Sequence, residues 1–215
     1  MKVYFISGLG ADKKAFQKIK LPSGFESVFI DWILPEKNES LPKYAERLSA
    51  IINTDEQYVL IGLSFGGMIA TEIARIKNPI KTIIISSLAS SVELPWYFKK
   101  AGQWRLHKAI PVGLLKSATL LNRIIGAGTT EDKAVIYHYI KNADPVFIRW
   151  SLNAIMNWGQ QNRLPGIIHL HGSKDHLLPI KYTQPDYIIN NGGHLMVLNQ
   201  AKEVNSILEK ILSQN

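Results

Sequence analysis

Apolar positions along the chain follow two rhythms. Short runs rich in β-branched residues, Lys2 to Ser7, Ser27 to Asp31, Tyr58 to Leu63, Ile80 to Ser86, Gly166 to His171 and Asp186 to Asn190, read as strands. Helical spacing recurs at Leu41, Tyr44, Ala45, Leu48, Ile51 and Ile52, and again at Met68, Ile69, Ala70, Ile73, Ala74 and Ile76. A short helical stretch surrounds Phe16 and Ile19, and Met196 to Leu212 reads as one amphipathic helix. Strands alternating with helices predict a parallel sheet, hence an α/β protein. Ser87 to Asn162 breaks the rhythm: it holds no convincing strand, several helical patterns, a Pro111-Val112-Gly113 interruption and four of the five tryptophans. The expected architecture is a mainly parallel sheet of about six strands, with a helical cap inserted after the fourth strand. Residues 1–86 and 163–215 form the core domain in this reading, and residues 87–162 the cap.

The joint at Ser64 is the point of greatest chemical interest. Tyr58 to Leu63 is continuously apolar, as a strand buried on both faces is, and the helical pattern starts at once behind it. A turn that sharp needs nearly side-chain-free residues two before and two after the serine, and Gly62 and Gly66 stand there in a Gly-x-Ser-x-Gly pattern. Such a turn lifts the hydroxyl clear of the sheet and points the first free N–H groups of the helix at whatever is bonded to it. Both features serve acyl transfer.

Composition narrows the chemistry. The 215 residues suit one core with one inserted element, and 46% are hydrophobic with no apolar run long enough to cross a bilayer. Met1-Lys2 leads straight into a short strand and then glycine, without the core or cleavage site of a signal peptide, so the expected location is the cytoplasm. The absence of cysteine excludes disulfides, thiolate nucleophiles and cysteine-ligated zinc. The net charge of +8 comes from scattered lysines and arginines, without the dense basic run that nucleic acid requires. Lys99, Lys100, Arg105 and Lys108 cluster in the cap, a weak pointer to an anionic substrate that reads more simply as a solvated helix face.

A serine needs a base, normally a histidine oriented by a carboxylate. Of the six histidines, His107 and His138 fall among helical residues of the cap, and His169 lies along an apolar strand. His194 follows the last strand in the glycine-rich Asn190-Asn191-Gly192-Gly193-His194, which brings it to the same carboxyl edge as Ser64. Asp175, in the loop after the strand that begins at Gly166, is the expected acid, and Glu93 is the fallback. The order Ser64, Asp175, His194 is that of one of the convergent triad architectures.

With these motifs in place the chain resembles the α/β-hydrolase superfamily, in its small, cap-bearing, esterase-like branch, over nearly its whole length. Gly62-Leu63-Ser64-Phe65-Gly66 is similar to the nucleophile elbow, His171-Gly172-Ser173-Lys174-Asp175 with Pro179 to the acid loop, and Gly193-His194 to the histidine loop. Ser7-Gly8-Leu9-Gly10 resembles the oxyanion loop, and the resemblance implies that the backbone N–H groups of Leu9 and Phe65 hold the developing oxyanion. Ser7 replaces the family's usual histidine, which removes the usual anchor of that loop but not its N–H groups. The first two antiparallel strands common in the family are expected to be missing, and little room is left for a helix between Pro179 and Asp186.

Three rivals are weaker. Gly8-x-Gly10 followed by Asp31 imitates a dinucleotide fingerprint, but Lys13 stands where a small residue is required. His169, His171, Asp175 and His176 suggest a metal cluster with loose spacing. A non-catalytic binding or sensing protein on the same fold would have no need of the intact Ser64, Asp175 and His194. The expected function is therefore hydrolysis of a small-molecule carboxylic ester or thioester through an acyl-enzyme, without metal or organic cofactor, nucleic acid or membrane insertion. Trp96, Tyr97, Phe98, Trp104, Trp150 and Trp158 are the pocket candidates, most of them plain core.

Overall fold

Six strands form one sheet in the computed structural model, which describes residues 1–104, 113, 134 and 141–214. They are β1 (Lys2–Ile6), β2 (Glu26–Ile30), β3 (Tyr58–Leu63), β4 (Lys81–Ile85), β5 (Ile167–Gly172) and β6 (Tyr187–Ile189), in the spatial order β2-β1-β3-β4-β5-β6. Every neighbouring pair is parallel, a stricter result than the mainly parallel sheet expected from the sequence. β3 lies between β1 and β4 with all six residues buried, which its unbroken apolar run requires.

Residues alternate across β1: Tyr4 and Ile6 join one hydrophobic cluster, Val3 and Phe5 the other. The first cluster is closed by helices α1 (Leu41–Leu48) and α2 (Phe65–Lys77). The second is closed by the 3-10 turn at Lys13–Phe16 and by helices from the chain's end. The sheet is thus covered on both faces, and the loops at the carboxyl ends of its strands share one edge.

Two helices are shorter than periodicity suggests. The first stops at Leu48 and tightens into a 3-10 turn over Ser49–Ile51, leaving Ile51 60% exposed although it fits the helical spacing. The last stretch breaks at Gln200, whose backbone (φ −132°, ψ 36°) is not helical. Gln200 Nε2 donates to Asn190 O at 3.0 Å, tying the break to the loop after β6. Periodicity does not register the break because buried residues continue in step on both sides.

Ser87 to Asn162 contributes a 3-10 turn (Ser91–Glu93), a helix at Trp96–Gln103, α3, and another at Pro145–Met156, α4. No strand occurs among its described residues. Arg105, His107, Lys108, Pro111, Val112 and His138 lie outside the described residues. The end helices are α5 (Met196–Asn199) and α6 (Ala201–Leu212). Pro179 to Asp186 holds only a 3-10 turn at Ile180–Tyr182, the trimmed connection expected. Among the described residues no helix is long and apolar enough to cross a membrane.

Trp158 fastens the end of the inserted segment to the core: its Nε1–H donates to Glu72 Oε1 on α2 at 2.6 Å, with both residues buried. Removing that donor leaves a buried carboxylate oxygen unmatched. Trp158→Phe is expected to destabilise the protein by about 1–3 kcal/mol. The check is urea unfolding, where the midpoint should fall at constant slope; an unchanged midpoint would mean the contact contributes nothing.

Candidate active site

Ser64 sits between β3 and α2 at φ 53° and ψ −120°, a conformation rare for a residue with a side chain and costly unless its surroundings impose it. Three hydrogen bonds do so. Ser64 N–H donates to Ile85 O at 2.9 Å, while Ser64 O accepts from Gly67 N–H at 2.9 Å and from Ser87 Oγ at 2.6 Å. A Cβ on Gly62 would fall within 3.0 Å of the Gly66 and Gly67 backbone, and one on Gly66 within 3.0 Å of the Ile6 and Ser7 carbonyl oxygens. Both glycines are therefore dictated by close approach.

The other two candidate residues arrive on neighbouring loops at the same edge. Gly172 at the end of β5 and Gly192 after β6 touch backbone to backbone, so that a Cβ on Gly172 would collide with Gly192. Lys174 N–H donates to Gly192 O at 2.8 Å and Asn191 N–H to Ser173 Oγ at 2.8 Å, locking the loop of Asp175 to the loop of His194. Ser64 Oγ then lies 2.9 Å from His194 Nε2, and His194 Nδ1 lies 2.8 Å from Asp175 Oδ2. A carboxylate only accepts, so the Nδ1 proton faces Asp175 and Nε2 is left as acceptor for the serine hydroxyl.

Asp175 is 3% exposed. Burial alone would raise its carboxyl, but the facing His194, the hydrogen bond from it and the Leu178 N–H outweigh burial and hold it below the ordinary carboxylate value. Leu177 and Leu178 N–H each donate to Oδ1 at 2.9 Å, so both oxygens have partners.

The remaining sequence candidates divide clearly. Glu93 is committed elsewhere: its Oε2 accepts from Ala89 N–H at 2.7 Å, and burial raises its carboxyl despite that bond. His169 and His171 are fully buried on β5 and hydrogen-bond one another at 2.9 Å, whereas His176 is exposed, so these three do not form the suspected cluster. The β1 loop runs into a single 3-10 turn at Lys13–Phe16, without the helix that would receive a dinucleotide pyrophosphate. Asp31 is exposed.

Gly8 packs against Ser64, Leu9 follows it in the chain, and Phe65 is the first residue of α2. Ser7 anchors its own loop: its Oγ donates to Ala11 O at 2.6 Å, where Trp32 Nε1–H also donates at 3.0 Å. Sequence reading missed Trp32. Its indole also stacks on Phe65 with centroids 5.6 Å apart, and Phe147 and Trp150 complete the cluster. A tryptophan just after a strand end at the site's edge was the available signal. Trp150 and Trp158 are core residues, Phe98 packs against the core, and Trp96, Tyr97 and Trp104 are exposed.

No family model matches the chain, and no curated protein matches it. Solved structures do. A thermophilic esterase from Thermogutta terrifontis superposes with TM-score 0.74 at 17% identity, covering 99% of this chain and 89% of its own. A bromoperoxidase from Bacillus anthracis gives 0.75 at 14% identity, covering 99% and 92%. Est816, described as an N-acyl homoserine lactone degrading enzyme, gives 0.73 at 18% identity, covering 97% and 92%. The fold of this chain is the α/β-hydrolase fold.

The two buried β5 histidines have a consequence for acid stability. Burial lowers His171, and burial together with His171 and Arg163 lowers His169 well below the ordinary 6.5. A group depressed on folding contributes stability that is present above its unfolded value and lost as pH falls through its folded value. Unfolding free energy should therefore fall as pH drops below about 6.5, by up to about 1.4 kcal/mol per pH unit for each histidine. Chemical denaturation between pH 8 and 5 measures the slope. His169→Leu should flatten it while lowering stability at neutral pH, and an unchanged slope would show that His169 is not the source.

Proposed function

We propose that this chain is a serine hydrolase that cleaves a carboxylic ester or thioester of a small molecule through an acyl-enzyme. One observation carries the reading: the unbroken hydrogen-bonded line from Ser64 Oγ through His194 to a buried, doubly supported Asp175. The fold supports it, as do the esterase and the lactone-degrading enzyme among the structural neighbours, since a lactone is a cyclic ester.

In the proposed cycle Ser64 Oγ attacks the substrate carbonyl while His194 Nε2 takes its proton, and Asp175 stabilises the imidazolium. The negative oxygen is held by the N–H groups of Leu9 and Phe65. His194 returns the proton to the leaving oxygen or sulfur, which departs and leaves the acyl group on Ser64. Water, deprotonated by the same nitrogen, then attacks the acyl carbonyl and the serine is released. Residues 87–162 act as a cap over the carboxyl edge and set which acyl and leaving groups enter. The nucleophile, base and acid all belong to the core domain of residues 1–86 and 163–215.

A fluorophosphonate probe tests the serine and its base together, because it modifies only a serine whose proton can be removed and whose oxyanion is stabilised. Labelling is expected at Ser64, absent in Ser64→Ala and sharply reduced in His194→Ala. Labelling that persists in Ser64→Ala would overturn the assignment. The acid is tested by turnover of p-nitrophenyl esters, where Asp175→Asn should lose about ten-thousandfold. Glu93→Gln should keep most activity, and the reverse pattern would reassign the acid.

A further inference from the structure

Beside Asp175 lies a second line of hydrogen bonds, which starts within 3.5 Å of the same carboxylate oxygen that His194 bonds. His171 Nε2 is 2.7 Å from Leu178 O and 3.5 Å from Asp175 Oδ2, and His171 Nδ1 is 2.9 Å from His169 Nε2. A carbonyl oxygen only accepts, so the Nε2 proton of His171 points at Leu178 O. With burial keeping His171 neutral, its Nδ1 is bare and accepts from His169 Nε2–H. The tautomers of both rings thus follow from one carbonyl.

Leu178 is the residue whose N–H donates to Asp175 Oδ1, and its own carbonyl is the one His171 holds. Pro179 follows, so that carbonyl belongs to a peptide without an N–H to anchor it from the other side. The same nitrogen lies 3.5 Å from Asp175 Oδ2, the oxygen that accepts the hydrogen bond from His194 Nδ1–H, at a distance where its N–H acts as a dipole rather than as a full hydrogen bond.

We infer that His171 is a positioning residue for Asp175, acting through Leu178 and through the Nε2–H that faces the carboxylate, with His169 fixing its tautomer. The inference rests on the proposed reading of Asp175 as the orienting acid. A buried histidine that merely fills the core would also be costly to lose, so stability alone cannot separate the two roles. Coupling to Asp175 separates them: a positioning residue matters only while the group it positions is present.

The experiment compares wild type, His171→Leu, His171→Gln, Asp175→Asn and Asp175→Asn/His171→Leu by p-nitrophenyl ester kinetics and fluorophosphonate labelling rate. His171→Leu should lower kcat roughly ten- to hundredfold, as misplacement of a catalytic group does, with little change in KM. His171→Gln, which keeps a donor at similar reach, should recover most of that loss. In the Asp175→Asn background His171→Leu should cost less than about twofold. An equal loss in both backgrounds, or full activity in His171→Leu, would overturn the inference while leaving the proposed hydrolase intact. Wild type that neither labels nor hydrolyses an ester would overturn both. Nitrogen-15 NMR of the wild-type imidazoles needs no variant to fold: His171 should carry its proton on Nε2 alone, and a proton on Nδ1 refutes the inference.

Discussion

The backbone of Ser64 is the constraint from which the rest of the structure follows. A residue with a side chain at φ 53° and ψ −120° persists only where its neighbours leave no alternative. Here the strand behind it, the helix in front of it and the strand beside it all do so. Ile85 O and Ser87 Oγ hold the serine from β4 and its following loop. Gly66 lies so close to the carbonyls of Ile6 and Ser7 that α2 can start only over the end of β1. Gly8, in the loop that follows β1, lies against Ser64. One close-packed junction therefore fixes both the strained serine and the neighbouring loop after β1.

The second constraint is a buried charge. Moving a carboxylate out of water is unfavourable unless it is paired and hydrogen-bonded. Asp175 meets that condition with two backbone N–H groups on one oxygen and His194 on the other. The two N–H donors come from the acid loop itself, and that loop is bound to the histidine loop through Lys174, Ser173, Gly192 and Asn191. The same contacts that make the charge tolerable orient the imidazole. Its positioning thus rests largely on backbone contacts between the two loops, with Ser173 Oγ as the side chain that joins them.

Much of this was legible in the sequence, for identifiable physical reasons. Central parallel strands buried on both faces leave continuous apolar runs, and these and the more exposed edge strands β2 and β6 were all visible within one or two residues of their observed limits. The elbow was visible because only glycine fits at positions 62 and 66. That Ser64, Asp175 and His194 would lie close together was legible because strand ends in a parallel sheet share an edge. What escaped depends on single tertiary hydrogen bonds. The helix break at Gln200 answers to Asn190, the anchoring of the Ser7 loop answers to Trp32 and Ala11, and the relation of His171 to Leu178 requires a loop to fold back on its own strand. No hydropathy rhythm carries such information.

The aromatic cluster at Phe65 joins the elbow to the inserted segment. Phe65 contributes the first amide of α2, and its ring is packed by Trp32, by Phe147 and by Trp150. The last two belong to α4, and Trp150 is fixed in turn by its Nε1–H to Glu39 O at 2.8 Å. Interiors packed at this density transmit small displacements instead of absorbing them. A shift of α4 is therefore felt at Phe65, whose amide is the one proposed to face the developing charge. The segment proposed to choose the substrate and the amide proposed to stabilise its transition state thus rest on the same rings, so substitution of Phe147 or Trp150 would alter turnover and selectivity together.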